Sequence, residues 1–218
     1  MDITYLGHSS FKLRTTNATV VTDPYNKEIG LEMPRVSADV VTVSHQHDDH
    51  NATNNVSGTS RRENPFIVES PGEYEVGGVS VFGIKTYHDD QEGALRGDNN
   101  VYSILIDGVS IIHLGDLGHT VTQKQIADLG TADVLLCPVG GHYTLDPKKV
   151  SELINVFEPS IFIPMHFKTP AHDPKTFGDL ITLDEFVKDF GTEPKKADKL
   201  SVTKTTLPED MEMYILEV

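Results

Sequence analysis

The sequence predicts an α/β fold in which mixed β-sheets are covered on the outside by helices. Three observations carry that expectation. Short apolar runs of strand length crowd the N-terminal half, two hairpins with glycine turns follow, and strands alternate with helices beyond Asp116. Such alternation implies strands buried beneath covering helices.

Taken in order, ITYLG (3–7), SFKLR (10–14), ATVVTD (18–23) and ADVVTVS (38–44) read as strands, and helical periodicity is nearly absent among them. YEVGGVSVFGIKT turns at Gly77-Gly78 and VYSILIDGVSIIHLGD at Asp107-Gly108, dipeptides that suit the positive φ of tight hairpin turns. Beyond these, 121–129 reads as a helix, 133–139 as a buried strand, 147–157 as a helix after Asp146-Pro147, and 160–165 as a strand. Segment 182–190 reads as a helix capped by Thr182, with Glu185 three residues on. Residues 168–181 and 192–199 read as surface loops, and SVTKTTLPEDMEMYILEV as one closing strand. No repeat, low-complexity tract or Pro-rich linker interrupts the chain. With 218 residues, 38% of them hydrophobic, the sequence predicts one domain over 1–218.

Eighteen Lys and Arg against 33 Asp and Glu give a net charge of −15, which repels polyanions. Nucleic acid is therefore a disfavoured partner, though not an excluded one, and a small molecule the favoured one. The opening MDITYLGHSS lacks a basic stretch followed by an apolar core, and no run approaches the roughly 18 apolar residues of a membrane span. A cytoplasmic protein without a membrane partner is expected, and homo-oligomerisation stays open. The single cysteine, Cys137 in DVLLCPVGG, fits a reducing compartment and reads as a buried strand residue rather than a reactive thiol.

The strongest chemical signal is HQHDDH, which places His45, His47, Asp49 and His50 at the junction between a buried strand and a loop. In an extended segment His45 and His47 project to the same side and can grip one ion, while Asp49 and His50, past the turn, can approach a second. Three further candidates each close an apolar run: His88 after FGIKTY, Asp116 after SIIHLG and His166 after IFIPM. Strand ends of this kind can converge on one rim of a sheet. Imidazole nitrogen with carboxylate oxygen suits zinc and also manganese, iron or cobalt.

On these residues the chain resembles the metallo-β-lactamase superfamily, whose motif order is Asp, then H-x-H-x-D-H, then His, Asp and His on successive strand ends. Asp23 in VVTDPY, HQHDDH, His88, Asp116 and His166 match that order. YLGHSSF, RGDNNVY, HLGDLGH, PVGG and PMHFKTP are similar to the branch containing ascorbate-phosphate lactonase-like proteins. The resemblance implies a four-layer αββα sandwich with two mixed sheets and a dinuclear hydrolase. It also implies that His45, His47 and His88 hold one divalent ion, Asp49, His50 and His166 a second, and that Asp116 bridges both. Asp23 would orient the ligand loop through hydrogen bonds. Two dications about 3.5–4 Å apart share and acidify a water, giving a bridging hydroxide, and polarise the group it attacks.

Beyond the ligands, His8 in LGHS, His119 in GDLGH and His142 in GGHYT sit in short loops after rim strands, where a group could meet substrate. Asp49, Asp116, His8 and His142 form the candidate catalytic set. Asp89 could support His88, Arg96 in LRGDNN could contact an anionic substrate, and His113 and His172 read as neither ligands nor catalysts. The expected activity is hydrolysis of a small ester-like, lactone or lactam substrate. A phosphodiesterase or nuclease on the same centre is the first alternative, weakened by the charge and by the short 49-residue stretch between Asp116 and His166. A metal-binding protein without activity is the second, weakened by the complete ligand set.

Overall fold

A computed structural model describes residues 1–218. In chain order it contains β1 (Asp2–Gly7), β2 (Ser10–Arg14), β3 (Thr19–Thr22), β4 (Val36–Ser37), β5 (Val40–Thr42), β6 (Val56–Ser57), β7 (Phe66–Val68), β8 (Gly72–Val76), β9 (Val79–Tyr87), β10 (Asp98–Ile106) and β11 (Val109–His113). Then follow α1 (Gln123–Leu129), β12 (Val134–Pro138), α2 (Val150–Phe157), β13 (Ile161–Met165), α3 (Pro174–Phe177), α4 (Leu183–Phe190), β14 (Lys195–Ala197), β15 (Leu200–Ser201) and β16 (Glu212–Leu216).

Two mixed sheets face each other, in the order β15-β1-β2-β3-β5-β7 and β14-β16-β13-β12-β11-β10-β9-β8. Strand alternation divides the side chains of the first sheet. Val20 and Val40, paired in register, face the core between the sheets, while their neighbours Val21 and Val41 join an outer cluster with Leu6, Val36 and Val56. Val36 and Val56 of that cluster come from the small β4–β6 ladder, where they pair in register. In the second sheet β11, β12 and β13 run parallel, and every residue of β12 and β13 is buried. Helices explain this: α2 buries Val150, Leu153 and Phe157, and α4 sets Phe186 and Phe190 against Phe162 of β13. Both hairpins turn as expected, with positive φ at Gly77, Gly78, Asp107 and Gly108. Thr182 and Glu185 form the expected capping box of α4. No helix is long and apolar enough to cross a membrane.

Three segments differ from the expectation. The stretch 201–218 is not one strand, because β15 pairs with β1 in the first sheet whereas β16 lies in the second. A turn at Thr203–Thr206 and then Pro208, which has no N–H to donate, end the first pairing and carry the chain across. Residues 168–181 are not only a surface loop: Asp173 caps α3 with Pro174 at its first position, and Phe177 and Leu180 pack with Tyr25 and Ile29. Within 192–199, β14 adds a parallel edge strand to β16.

Strand direction positions the site. β1 and β3 are both antiparallel to β2, and β5 is parallel to β3, so these three end at one edge of the first sheet. β9 and β11 are both antiparallel to β10, and β12 and β13 are parallel to β11, so these four end at one edge of the second. His8, Asp23, His45, His88, Asp116 and His166 each lie one to three residues past such an end.

Candidate metal centre

The potential ligand atoms of His45, His47 and His88 lie within 4.8 Å of one another, as do those of His8, Asp49, His50 and His166, and those of His45, His50 and Asp116. Asp116 sits between the groups: its Oδ2 is 3.3 Å from His50 Nε2, 3.2 Å from His88 Nε2 and 3.1 Å from His166 Nε2. The backbone stores strain here. His8, Asp23 and His166 adopt φ of 55°, 38° and 51°, a region non-glycine residues seldom occupy. Gly115 (φ 55°) precedes Asp116, and a Cβ there would collide with Asn99 Oδ1 and Ser44 Cβ. Asn99 Oδ1 is needed in that place, because it accepts the Asp116 N–H at 2.9 Å.

Hydrogen bonding fixes which imidazole nitrogens point inward. Buried Asp23 accepts the Ser44 N–H through Oδ1 (2.8 Å) and, through Oδ2, the Ser44 hydroxyl (2.5 Å) and His50 Nδ1–H (2.8 Å). Ser44 has spent its only proton on Asp23. Its Oγ must therefore accept from His45 Nδ1–H at 2.9 Å. His45 and His50 consequently both turn Nε2 to the cluster, and both Nε2 atoms are buried without a protein hydrogen-bond partner. Asp116 Oδ1, His88 Nδ1 and His166 Nδ1 are orphaned likewise. Of these, His45 Nε2, His50 Nε2 and Asp116 Oδ1 border the cluster and cost free energy unless something else binds them, whereas His88 and His166 turn Nε2 towards Asp116 and leave Nδ1 on the other edge of the ring. Imidazole nitrogens and carboxylate oxygens in these groups are donors that divalent transition metals take, so the residues fit the metal ions the sequence implies.

The electrostatics agree. Burial alone would raise the Asp116 carboxyl, but the imidazoles of His166 and His50 hold it well below the usual carboxylate range. Asp49 is the same case: burial opposes ionisation, and His50 and His8 overcome it. Burial pushes His45 well below the ordinary histidine value, with His50 adding to the effect, so the ring is neutral and its Nε2 lone pair available. For His50, burial is outweighed by Asp116 and Asp49, which raise it well above that value. Here a proton and a metal cation compete for one place.

The remaining candidates separate. His8 is fully buried, with Nε2 3.1 Å from Asp49 Oδ2 and Nδ1 3.1 Å from Nε2 of buried His172, which the sequence reading set aside. Burial, then the charge of neighbouring imidazoles, lowers His8 to about 4 and His172 to about 3. His113 donates from Nε2 to the Ser9 carbonyl (2.8 Å) and accepts the Gly115 N–H (3.2 Å), which leaves no free nitrogen. His119 is satisfied by the backbone of Tyr87 and Thr120. His142, of the candidate catalytic set, lies apart from the cluster. Positive φ at Gly141 and His142 sends its ring out to exposed Asp179, 3.7 Å away, and only its carbonyl reaches back, accepting from Arg96 Nη2 at 3.2 Å. Asp89 is buried and anchors a loop by accepting the N–H groups of Gln91, Gly93, Leu95 and Arg96. Burial opposes its ionisation, yet those four donors bring its carboxyl down to about 2. Cys137 is fully buried and its thiol pushed far up by that burial, as expected of a structural residue.

Above the cluster opens a cleft of about 470 Å³ whose floor includes His47, Asp49, His88, Asp116 and His166. Its walls are Ile29, Leu95, Arg96, Tyr143 and Phe177. That is the volume of a small-molecule site. Arg96, held over the Tyr143 ring at 5.7 Å, has no carboxylate partner. Sequence reasoning missed Tyr143 and Phe177 as walls. For Phe177 a signal existed in Asp173-Pro174, a helix-start pair inside the supposed loop.

A sequence profile of the beta-lactamase superfamily domain matches residues 2–166. A metal-dependent hydrolase of Korarchaeum cryptofilum is 30% identical over 189 residues, 77% of this chain and 83% of that protein. One from Thermococcus onnurineus is 27% identical over 205 residues, 82% of this chain and 91% of that protein. Among solved structures, a Thermotoga maritima chain assigned to the Zn-dependent hydrolases of the metallo-β-lactamase superfamily superposes with a TM-score of 0.80. That chain is 35% identical in sequence, and the match covers 100% of this chain and 98% of that one.

Proposed function

Because this chain belongs to the beta-lactamase superfamily, we propose that it is a metal-dependent hydrolase that binds two divalent ions and acts on a small ester-like, lactone or lactam substrate. The observation that carries this reading is the set of buried, orphaned imidazole and carboxylate atoms converging beneath one cleft. His45, His47 and His88 would hold one ion, Asp49, His50 and His166 the other, with Asp116 facing both. Zinc suits these donors, and manganese, iron and cobalt fit them too. Bound there, the ions would supply a water acidified towards neutral pH and Lewis-acid polarisation of the carbonyl.

The chain's own residues do the rest. Asp23, directly and through Ser44, keeps His45 and His50 in the tautomers that present Nε2. Asp116 supplies negative charge at the centre of the cluster and keeps Oδ1 free of protein donors. Ile29, Leu95 and Phe177 give the cleft an apolar wall that displaces water and grips a carbon skeleton. Arg96 is the cation available there for an anionic substituent of the substrate. The charge of −15 supports a small substrate over a polyanion.

The test is a screen of metal-replete protein, beside a chelated control, against lactones, thioesters, β-lactams, bis-p-nitrophenyl phosphate and short single-stranded RNA. Chelator-sensitive turnover of carbonyl substrates alone is expected. Turnover confined to the phosphodiester or to RNA would replace the substrate class, and tight metal binding without any turnover would replace the enzyme with a binding protein.

A further inference from the structure

Resting on the two-ion reading above, we infer that His172 and His8 form a relay that positions Asp49 for the second ion, and that His8 is not itself a metal ligand. Proximity alone would suggest otherwise, since a ring nitrogen of His8 lies within 4.8 Å of the ligand atoms of Asp49, His50 and His166. The hydrogen bonds decide against ligation, starting from a backbone amide that has no choice of role.

The N–H of Thr169 donates to His172 Nδ1 at 3.1 Å, with the Thr169 hydroxyl at 2.9 Å from the same atom. Nδ1 must therefore be the bare nitrogen of that neutral ring, and its proton sits on Nε2. His172 Nε2 lies 3.1 Å from His8 Nδ1, so it donates and His8 Nδ1 accepts. The proton of His8 is thus on Nε2, 3.1 Å from Asp49 Oδ2, to which it donates. A nitrogen carrying that proton has no lone pair for a metal. Asp49 Oδ2, which accepts that proton, also lies 3.5 Å from His50 Nε2, so the hydrogen bond holds the carboxylate against the cluster while three of its lone pairs stay free for a cation.

The surroundings favour a rigid relay. His8 and His172 are 0% and 5% exposed, and Phe177 packs against both rings, with centroids 5.3 Å and 5.1 Å away. Asp49 is by contrast 18% exposed on a loop. It is the least buried ligand of the second group, since His50 and His166 are enclosed and His50 is tied to Asp23. Both histidines are positioning residues in this account. Neither touches the reacting atoms.

Nitrogen-15 NMR of histidine-labelled, zinc-loaded protein reads the tautomers directly, and both His8 and His172 should be Nε2–H imidazoles. A His8 Nε2 without its proton, or one bound to metal, would overturn the inference. Chelator competition provides the second readout. His172→Phe should weaken the second ion about tenfold, the scale on which outer hydrogen-bond partners act on metal sites, and leave the first unchanged. His172→Gln, whose amide nitrogen can still donate to His8 Nδ1, should bind nearly as the wild type does. Unchanged affinity in His172→Phe, beside a wild type that binds two ions, would overturn the relay alone. A wild type that takes up no metal would overturn the metal centre together with it. If His172→Phe fails to fold, the NMR measurement and His172→Gln still decide: loss of the second ion in soluble, folded His172→Gln would count against the relay.

Discussion

Replacing Asp23 by asparagine changes one atom and should impair both metal positions. Asp23 accepts three hydrogen bonds, at 2.8, 2.5 and 2.8 Å, from the Ser44 N–H, the Ser44 hydroxyl and His50 Nδ1–H. An amide can keep the first through its oxygen, but its NH₂ turns a shared acceptor into a donor. His50 must then accept at Nδ1 and carry its proton on Nε2. Ser44, accepting from the amide, donates to His45 Nδ1, so that His45 also moves its proton to Nε2. Each proposed ion loses a ligand lone pair, and affinity should fall about 10–100-fold at both positions. Stability should fall as well, because two hydrogen bonds to a buried carboxylate, worth about 1.5–3 kcal/mol each, give way to neutral ones. Taking a net loss of about 2 kcal/mol, the melting temperature of a chain this size drops by about 4–8 °C. Chelator competition and thermal unfolding measure the two effects separately. An Asp23→Asn protein that melts lower yet binds metal with wild-type affinity would refute the tautomer reasoning.

Asp116→Asn should keep the fold, seen by circular dichroism, while kcat/KM falls by more than ~100-fold, equivalent to ~2.7 kcal/mol of transition-state stabilisation; full activity with full metal content would place the central carboxylate elsewhere. Arg96→Ala should raise KM for anionic substrates about tenfold with little change in kcat, as expected for one lost charge-assisted contact, and should leave neutral substrates alone. A loss equal for both substrate types would remove Arg96 from recognition. Asp89 has a folded-state pKa of about 2, below its ordinary 3.8, so the stability it contributes is complete above about pH 4 and disappears as pH falls through about 2. Asp89→Ala should therefore show a shallower decline of melting temperature between pH 4 and pH 2 than the wild type, and parallel curves would contradict this role.

Much of the arrangement could be read from the residues because the signals were local. HQHDDH states its chemistry within six positions, and the Gly77-Gly78 and Asp107-Gly108 turns state their geometry within two. β4, β6 and β7 were not visible, since strands of two or three residues carry no periodicity and exist only because partners are brought to them. Pro208 offered a local sign that 201–218 could not be one strand, but that its start pairs with β1 through Ser201 while Glu212–Leu216 joins the other sheet required the tertiary fold. The support beneath the ligands was hidden for the same reason. Ser44 is an ordinary residue in the sequence, and its role depends on lying between Asp23 and His45. His172, read as a loop residue, gains its place from the Thr169 amide and from His8, 164 residues away along the chain. His142 likewise follows a rim strand in the sequence, and the two left-handed residues that turn its ring towards Asp179 became visible only in the folded backbone.

The central claim is that this cluster holds two metal ions. Elemental analysis of protein purified with a metal supplement and then freed of loosely bound ions should give close to two equivalents of transition metal per chain, because seven candidate ligands are too many for one four-coordinate ion. Reproducible saturation at one equivalent, or no retained metal at all, would contradict it.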